Sequence, residues 1–205
     1  MTSRAVKHCL YLIAAGLVAT CFGCRELNQY DKRQFVLDVS RSQENPAADA
    51  EVILEVRRLR IDSRFDSKDL IYRRGEFEYE SDFHNEYLVA PEVMITDQVR
   101  RWLANSGLFK KVVEPGSLLE PTHTMEGSIN ALYADFRDES APKAVMEIDF
   151  FVIVQEPSED RLVYSDSYKT SKAIENRSAD GVVEGVNQCL EGILRGLEEG
   201  IKTGP

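Results

Sequence analysis

Residues 143–155 read KAVMEIDFFVIVQ, and apolar side chains recur in them at every second position. The members of this stripe are Ala144, Met146, Ile148, Phe150, Val152 and Val154. Successive side chains of a β-strand point to opposite faces, so a period of two gathers these six on one face. The pattern predicts a long strand that covers a hydrophobic core with that face.

Two stretches of similar length flank this strand. Residues 123–136 precede it across the loop 137–142, and residues 161–172 follow it after a turn at 157–160. Short loops join antiparallel neighbours, whereas a parallel pair needs a crossover of a dozen residues or more. The back half of the chain is therefore predicted to form a three-stranded meander.

Helical spacing occurs in two places. One helix is predicted to begin at Pro91, because proline is favoured in a first turn, and to end near Gly107. A second helix is predicted to begin after Ser178, a capping residue, and to reach about Ile201.

The second predicted helix is rich in glycine, which lowers helix propensity by up to ~1 kcal/mol per residue. Gly192, Gly196 and Gly200 are spaced by four residues and so share one side. Close approach of that side to a sheet or helix would offset the cost. The alternative is a weakly specified helix end.

Shorter strands are predicted in the front half. Residues 70–74 and 76–82 form a hairpin about Gly75, in which acidic residues alternate with Phe77, Tyr79 and Phe83. In residues 51–61 the alternation slips by one position near 57–58, which predicts a bulge. The predicted fold class is α+β: an antiparallel sheet of about five to seven strands with two helices packed on one face.

The composition is that of an ordinary globular protein. Of the 205 residues, 43% are hydrophobic and 29% are charged, which argues against a disordered or fibrous chain. The 25 basic and 35 acidic residues give a net charge of −10. Nucleic-acid binding depends on neutralising phosphates with Lys and Arg, so nucleic acid is not an expected partner.

The N-terminus has the pattern of a lipoprotein signal peptide. Basic residues in 1–8 precede the apolar run CLYLIAAGLVATCF at 9–22, which is too short to span a bilayer. Gly23 and Cys24 follow, as in a bacterial lipobox. We predict a signal peptide at 1–23, a lipid on Cys24 and a tether at 24–33, with Cys21 as the competing acceptor.

Two further expectations follow from this N-terminus. Arg25 stands where an Asp typically retains lipoproteins in the inner membrane, so we expect anchoring at the periplasmic face of the outer membrane. Cleavage before Cys24 would leave Cys189 as the one unmodified cysteine, and an intramolecular disulfide would then be impossible.

Catalytic patterns are sparse. Beyond the predicted signal peptide the chain has two histidines, His84 and His123, and no nucleotide-binding loop or nucleophile elbow. Asp82, His84 and Glu86 offer one imidazole and two carboxylates, but no second His or Cys lies at ligand spacing. We expect no enzyme, no metal and no cofactor.

Basic side chains are concentrated in residues 57–74 of an otherwise acidic chain. The arginines of greatest interest there are Arg57, Arg58, Arg60, Arg73 and Arg74. One interpretation is cross-strand pairing with the acidic arm at 76–82. The other is a basic partner interface that meets an acidic protein surface or anionic lipid headgroups.

The segment from 70 to 109 resembles a known family. The matching pieces are Leu70–Arg73, Tyr79–Glu86, Pro91, Met94–Leu103 and Ser106–Phe109, in this order and spacing. They resemble the ABC-type transport auxiliary lipoproteins, a group that includes PqiC-like proteins, and a domain over 34–202 is implied. His84 departs from the pattern, in which an aromatic residue such as Tyr is expected.

The resemblance implies a non-enzymatic role. Such lipoproteins serve systems in which an MCE-domain protein, a permease and an ATPase move lipids or other hydrophobic molecules across the envelope. The implied partners are the MCE-domain protein, the membrane through the lipid on Cys24, and further copies of the chain in a ring.

Two alternatives remain open. In the first, the protein is a direct lipid carrier whose Phe77, Tyr79 and Phe83 line a pocket. In the second, it is an envelope hydrolase, because the partners of a catalytic serine need not be adjacent in sequence.

Overall fold

The computed structural model describes residues 32–41, 51–156 and 159–203. Its strands are β1 (Arg33–Phe35), β2 (Ile53–Val56), β3 (Arg60–Ile61), β4 (Asp69–Arg73), β5 (Tyr79–Tyr87), β6 (Lys111–Val113), β7 (His123–Asp135), β8 (Lys143–Val154) and β9 (Arg161–Ala173). Its helices are α1 (Pro91–Ala104) and α2 (Ala179–Thr203). The predicted signal peptide at 1–23, with Cys21, and the lipid acceptor Cys24 lie outside the described residues.

The sheet is organised around β7. On one side β7 pairs antiparallel with β8 over its whole length, and β9 pairs antiparallel with β8 beyond it. On the other side β2, β3 and β4 pair with β7 one after another, all parallel to it. The predicted meander of 123–172 is confirmed.

Three further strands complete the sheet on the β2 and β4 side. β6 pairs parallel with β2, β5 pairs antiparallel with β4, and β1 pairs parallel with β5. The α+β class with two helices is confirmed, but the prediction of an antiparallel sheet of five to seven strands is wrong. Within the described residues the sheet is mixed and has nine strands, because residues 53–73 run beside β7 in short pieces whose sequences do not reveal their direction.

The predicted bulge near 57–58 is present. Val56 lies opposite Met125, and Arg60 lies opposite Ser128. Four residues on one side thus face three on β7, which is the signature of one extra residue. The extra residue returns Leu59 to the core, where it is buried.

Helix α2 packs against β8 and β9 with its small residues. A Cβ atom on Gly196 would lie 2.8 Å from the ring of Tyr168, and one on Gly200 would overlap the hydroxyl of Tyr164. Gly192 has open space around it. The predicted close approach is therefore confirmed for two of the three glycines.

A buried carboxylate ties both helices to the N-terminal segment. Glu198 is 5% exposed and accepts hydrogen bonds from the Trp102 indole of α1 (2.9 Å) and the Lys202 ammonium (2.6 Å). The guanidinium of Arg41 binds both oxygens of Glu198, at 2.7 and 3.0 Å. Buried charges need such partners, and here both oxygens have them.

Candidate functional site

The five arginines predicted to form a partner interface lie in two places. The first place is the β2–β3 bulge. Arg57 binds Glu55 at 3.2 Å and Glu126 at 2.7 Å. Arg58 and Arg60 are exposed, and no ion pair within the part of the chain that the structure describes involves either of them.

The second place is the turn of the β4–β5 hairpin. The guanidinium of Arg73 donates to the carbonyl oxygens of Gly75 (3.2 Å) and Glu76 (2.8 Å). It also lies 5.5 Å from the Tyr79 ring centroid and 5.9 Å from that of Tyr133. Arg73 is therefore a packing element of the hairpin, half-buried among aromatic rings.

Arg74 illustrates the simpler interpretation of the basic segment. Its Nε donates to the Glu80 carboxylate at 2.8 Å across the hairpin, and its guanidinium lies 5.0 Å from the Phe136 ring centroid. The two groups of arginines are well separated, because Arg60 lies opposite Ser128 of β7 and Arg73 lies opposite Asp135. Seven residues of strand span roughly 23 Å.

A wide irregularity interrupts β5. Asp69 lies opposite Glu86, whereas Ile71 lies opposite Ser81, so five residues of β5 span the distance covered by two of β4. The backbone between Ser81 and Glu86 consequently bulges out of the sheet. We call residues 82–85 the β5 bulge.

The carboxylate of Asp82 holds the β5 bulge in shape. It accepts hydrogen bonds from the backbone N–H groups of His84 at 2.8 Å and Asn85 at 3.0 Å. The Asn85 side-chain amide donates to it at 2.8 Å, and the Tyr72 hydroxyl donates to it from β4. Burial alone would raise the pKa of Asp82, but these hydrogen bonds lower it overall, and the group is ionised at neutral pH.

Two aromatic side chains project from this hairpin into solvent. Phe77, in the turn, is 90% exposed, and Phe83, on the β5 bulge, is 70% exposed. Tyr79 instead packs against Phe65 and Tyr133. The three aromatic side chains of the lipid-carrier alternative therefore do not form one face, because β5 begins at Tyr79, so that Phe77 lies before the strand, and the bulge turns Phe83 outward.

Exposed aromatic side chains have the chemistry of interface residues. Aromatic side chains are enriched at the centres of protein interfaces, where they bury a large apolar area at small entropic cost. The chain holds Phe83 outward through four hydrogen bonds to Asp82. Sequence reasoning missed this role of Asp82, although Asp and Asn side chains commonly bond to backbone N–H groups two or three residues ahead.

The two carboxylates nearest His84 in sequence bond to other groups. Glu86 binds Lys32 at 2.9 Å and Gln34 at 3.0 Å, and Asp82 is occupied in the bulge beside His84. Across residues 32–41, 51–156 and 159–203, no group of three or more His, Cys, Asp and Glu side chains is placed to hold a metal ion. Burial raises the pKa of the Cys189 thiol to about 11, so the thiol stays protonated.

No protein-family model and no curated protein matches the sequence. Solved structures do contain its fold. Protein XCC0632 from Xanthomonas campestris, a protein of family DUF330, superposes with a TM-score of 0.67 at 19% identity, over 80% of this chain and 91% of that chain. An uncharacterised protein superposes with a TM-score of 0.66 at 10% identity, over 83% of this chain and 99% of that chain. The chain therefore has the fold of a DUF330 protein.

Helix α2 is the longer of the two helices, with 25 residues, but it carries many charged side chains. Among the described residues no helix is both long and apolar enough to cross a membrane.

Proposed function

We propose that this protein is a lipid-anchored, non-enzymatic auxiliary component of an ABC-type, MCE-linked transport system for lipids or other hydrophobic molecules. A lipid on Cys24 would hold it at the periplasmic face of the outer membrane. Its partner would be the MCE-domain protein of that system, with further copies of the chain as a second partner in a ring.

One observation carries the proposal. The residues that resemble the auxiliary lipoproteins fold as one continuous unit, consisting of β4, β5 and α1. The apolar members of this unit, such as Ile71, Val99 and Trp102, are buried in the core. Its polar members build the β5 bulge and present Phe83, so the distinctive part of the unit is a protruding surface rather than a catalytic cleft.

The surface chemistry supports a protein partner. Phe77 is flanked by the carboxylates of Glu76 and Glu78, which favour a basic or apolar protein surface over an anionic bilayer. Arg58 and Arg60 provide a second exposed patch, of opposite charge. A complementary partner would therefore contact two patches of opposite charge, an acidic one around Phe77 and a basic one formed by Arg58 and Arg60.

The experiment is site-specific photo-crosslinking in intact cells. A photoreactive phenylalanine analogue replaces Phe83 in one strain and Phe77 in another. Leu162 is the matched control position, because it is apolar and 55% exposed but lies on the far edge strand β9. We expect the two hairpin positions to capture an MCE-domain protein and Leu162 to capture none.

Anchoring is tested in the same strains. Cys24→Ser should abolish the crosslink, since the unanchored chain is not held beside its partner, whereas Cys21→Ser should leave it unchanged. The proposal fails if Phe83 and Phe77 capture no MCE-domain protein under conditions that trap other envelope complexes. Equal loss in both cysteine variants would assign the lipid to neither residue alone.

A further inference from the structure

A groove opens at the end of the sheet where β7 begins and β8 ends. Its volume is about 490 Å³. Its apolar lining residues include Val152, Val154, Val163, Ile201, Leu108 and Phe109. A cavity of this size lies within the range of small-molecule sites, roughly 300–1,000 Å³.

The polar side chains of the groove include His123, Arg161 and Lys202. Arg161 pairs with Glu156 at 3.1 Å, and Lys202 pairs with Glu198, which also binds Arg41. Glu198 is therefore shared by two cations, Lys202 and Arg41, in a chain with a net charge of −10. Burial and the positive charge of Arg161 lower the pKa of His123, so the imidazole is neutral at neutral pH.

We infer that this groove binds a single long acyl chain that ends in an anionic headgroup. The acyl chain lies against Val152, Val154 and Ile201, which exclude water from it. The headgroup, a carboxylate or a phosphate, receives hydrogen bonds from the Arg161 guanidinium and the Lys202 ammonium.

The lining favours an acyl chain over a peptide segment. A buried peptide needs acceptors for its backbone N–H groups, and Arg161 and Lys202 can only donate. The hydroxyl of Tyr164, which also lines the groove, is already hydrogen-bonded to that of Tyr168. An acyl chain has no polar groups to satisfy along its length, and its single anionic end meets the cations.

The groove is separate from the surface proposed to contact a transport partner. None of its lining residues belongs to the β4–β5 hairpin. Its assignment therefore does not depend on the proposed adaptor role, and either can fail without the other.

The probe for this site is palmitic acid that carries a photoreactive diazirine near its end. The full-length protein, held in nanodiscs of zwitterionic phosphatidylcholine, is irradiated with the probe, and labelled peptides are mapped by mass spectrometry. We expect labels on β8, β9 and the last turns of α2. The methyl ester of the probe, which lacks the charge, should label these peptides about tenfold less.

Two variants and their controls decide the result. Val163→Trp fills the groove and should reduce labelling about tenfold, whereas Leu162→Trp, on an exposed neighbour, should leave it unchanged. Arg161→Gln combined with Lys202→Gln removes the headgroup donors, and urea unfolding checks that loss of the Lys202–Glu198 ion pair leaves the domain folded. Arg177→Gln, an exposed cation paired loosely with Glu139, is its control.

The inference is overturned by any of three results. These are even labelling of the whole domain, wild-type labelling of the double Gln variant, and equal labelling by the methyl ester and the acid. Competition by inorganic phosphate alone would assign the cations to a free anion instead of a lipid headgroup. Competition by an apolar peptide but not by unlabelled palmitic acid would assign the groove to a protein segment.

Discussion

Two carboxylates, Glu198 and Asp82, organise two parts of this domain in different ways. Glu198 lies in the core and joins α1, α2 and the segment around Arg41. Asp82 lies at the sheet edge and bonds within four residues of itself and to one tyrosine on the neighbouring strand. A carboxylate that joins distant segments supports the whole fold, whereas one that bonds locally shapes a surface.

The electrostatics of the two sites follow the same rule. Burial alone would raise the pKa of Glu198, but hydrogen bonds from Arg41 and Lys202 lower it overall. The pKa of Asp82 is lowered against burial in the same way by its neighbours. Both groups are thus ionised in the folded protein. They differ in how far along the sequence their hydrogen-bond partners lie, and not in charge.

The largest expected effect is at the core carboxylate. Glu198→Ala leaves the Trp102 indole without its acceptor and removes the carboxylate that binds Arg41. Breaking a buried charge pair in this manner costs about 3 kcal/mol of unfolding free energy. Urea unfolding of the full chain, followed by circular dichroism, measures the loss. The control is Glu199→Ala, an exposed neighbour, which should change stability by less than ~0.5 kcal/mol.

The same variant changes the response to acid. A carboxyl group whose pKa is lowered in the folded state adds stability above its unfolded pKa, which is about 4.3 for Glu, and this stability is lost as the pH falls. The wild type should therefore lose more stability than Glu198→Ala between pH 5 and acid pH. Parallel pH profiles for the two proteins would contradict the assigned role.

The second-largest effect is expected in α2, where two glycine variants show whether packing or helix propensity determines the stability of the helix. Gly200→Ala would place a Cβ against the Tyr164 and Tyr168 hydroxyls and should cost about 2 kcal/mol. Gly192 has open space around it. Gly192→Ala should instead stabilise the protein by about 0.5–1 kcal/mol. Changes of the same sign in both variants would show that the tyrosines do not set the position of α2.

The smallest expected effect is at the sheet edge. Asp82→Ala removes the acceptor of the β5 bulge but leaves the core intact, so we expect a loss of about 1 kcal/mol. Hydrogen exchange of the His84 and Asn85 amides should nevertheless accelerate strongly, because both lose their acceptor. Glu80→Ala on the same strand is the control. A global loss as large as that of Glu198→Ala would remove the distinction between the two carboxylates.

The long elements could be predicted from the sequence because their signal is repeated many times. The alternation in 143–155 and the helical spacing after Ser178 each rest on six or more apolar positions. Strand β8 and helix α2 consequently agree with the predicted ranges to within about two residues. The slip in the alternation before Arg60 could be predicted equally well, because a change of face shifts the positions of the apolar residues in the sequence.

The sheet edge could not be predicted for a physical reason. Pairing direction depends on partners far away in the sequence, and strands of two to five residues carry no periodic record of it. The outward position of Phe83 depends on the hydrogen bonds of one carboxylate, and alternation alone placed Phe83 on the wrong face. Arg73 was identified as basic, but its packing against Tyr133 depends on a strand sixty residues later.

The ion pair between Arg33 and Asp180 lies far from the apolar groove along α2. It joins Arg33 to the beginning of α2, while the apolar groove lies beside Ile201 near the other end of the same helix. Twenty-one residues at 1.5 Å each separate these two points by roughly 32 Å, about the thickness of a bilayer's hydrocarbon layer. A ligand seated beside Ile201 would therefore lie roughly one helix length away from the Arg33–Asp180 pair.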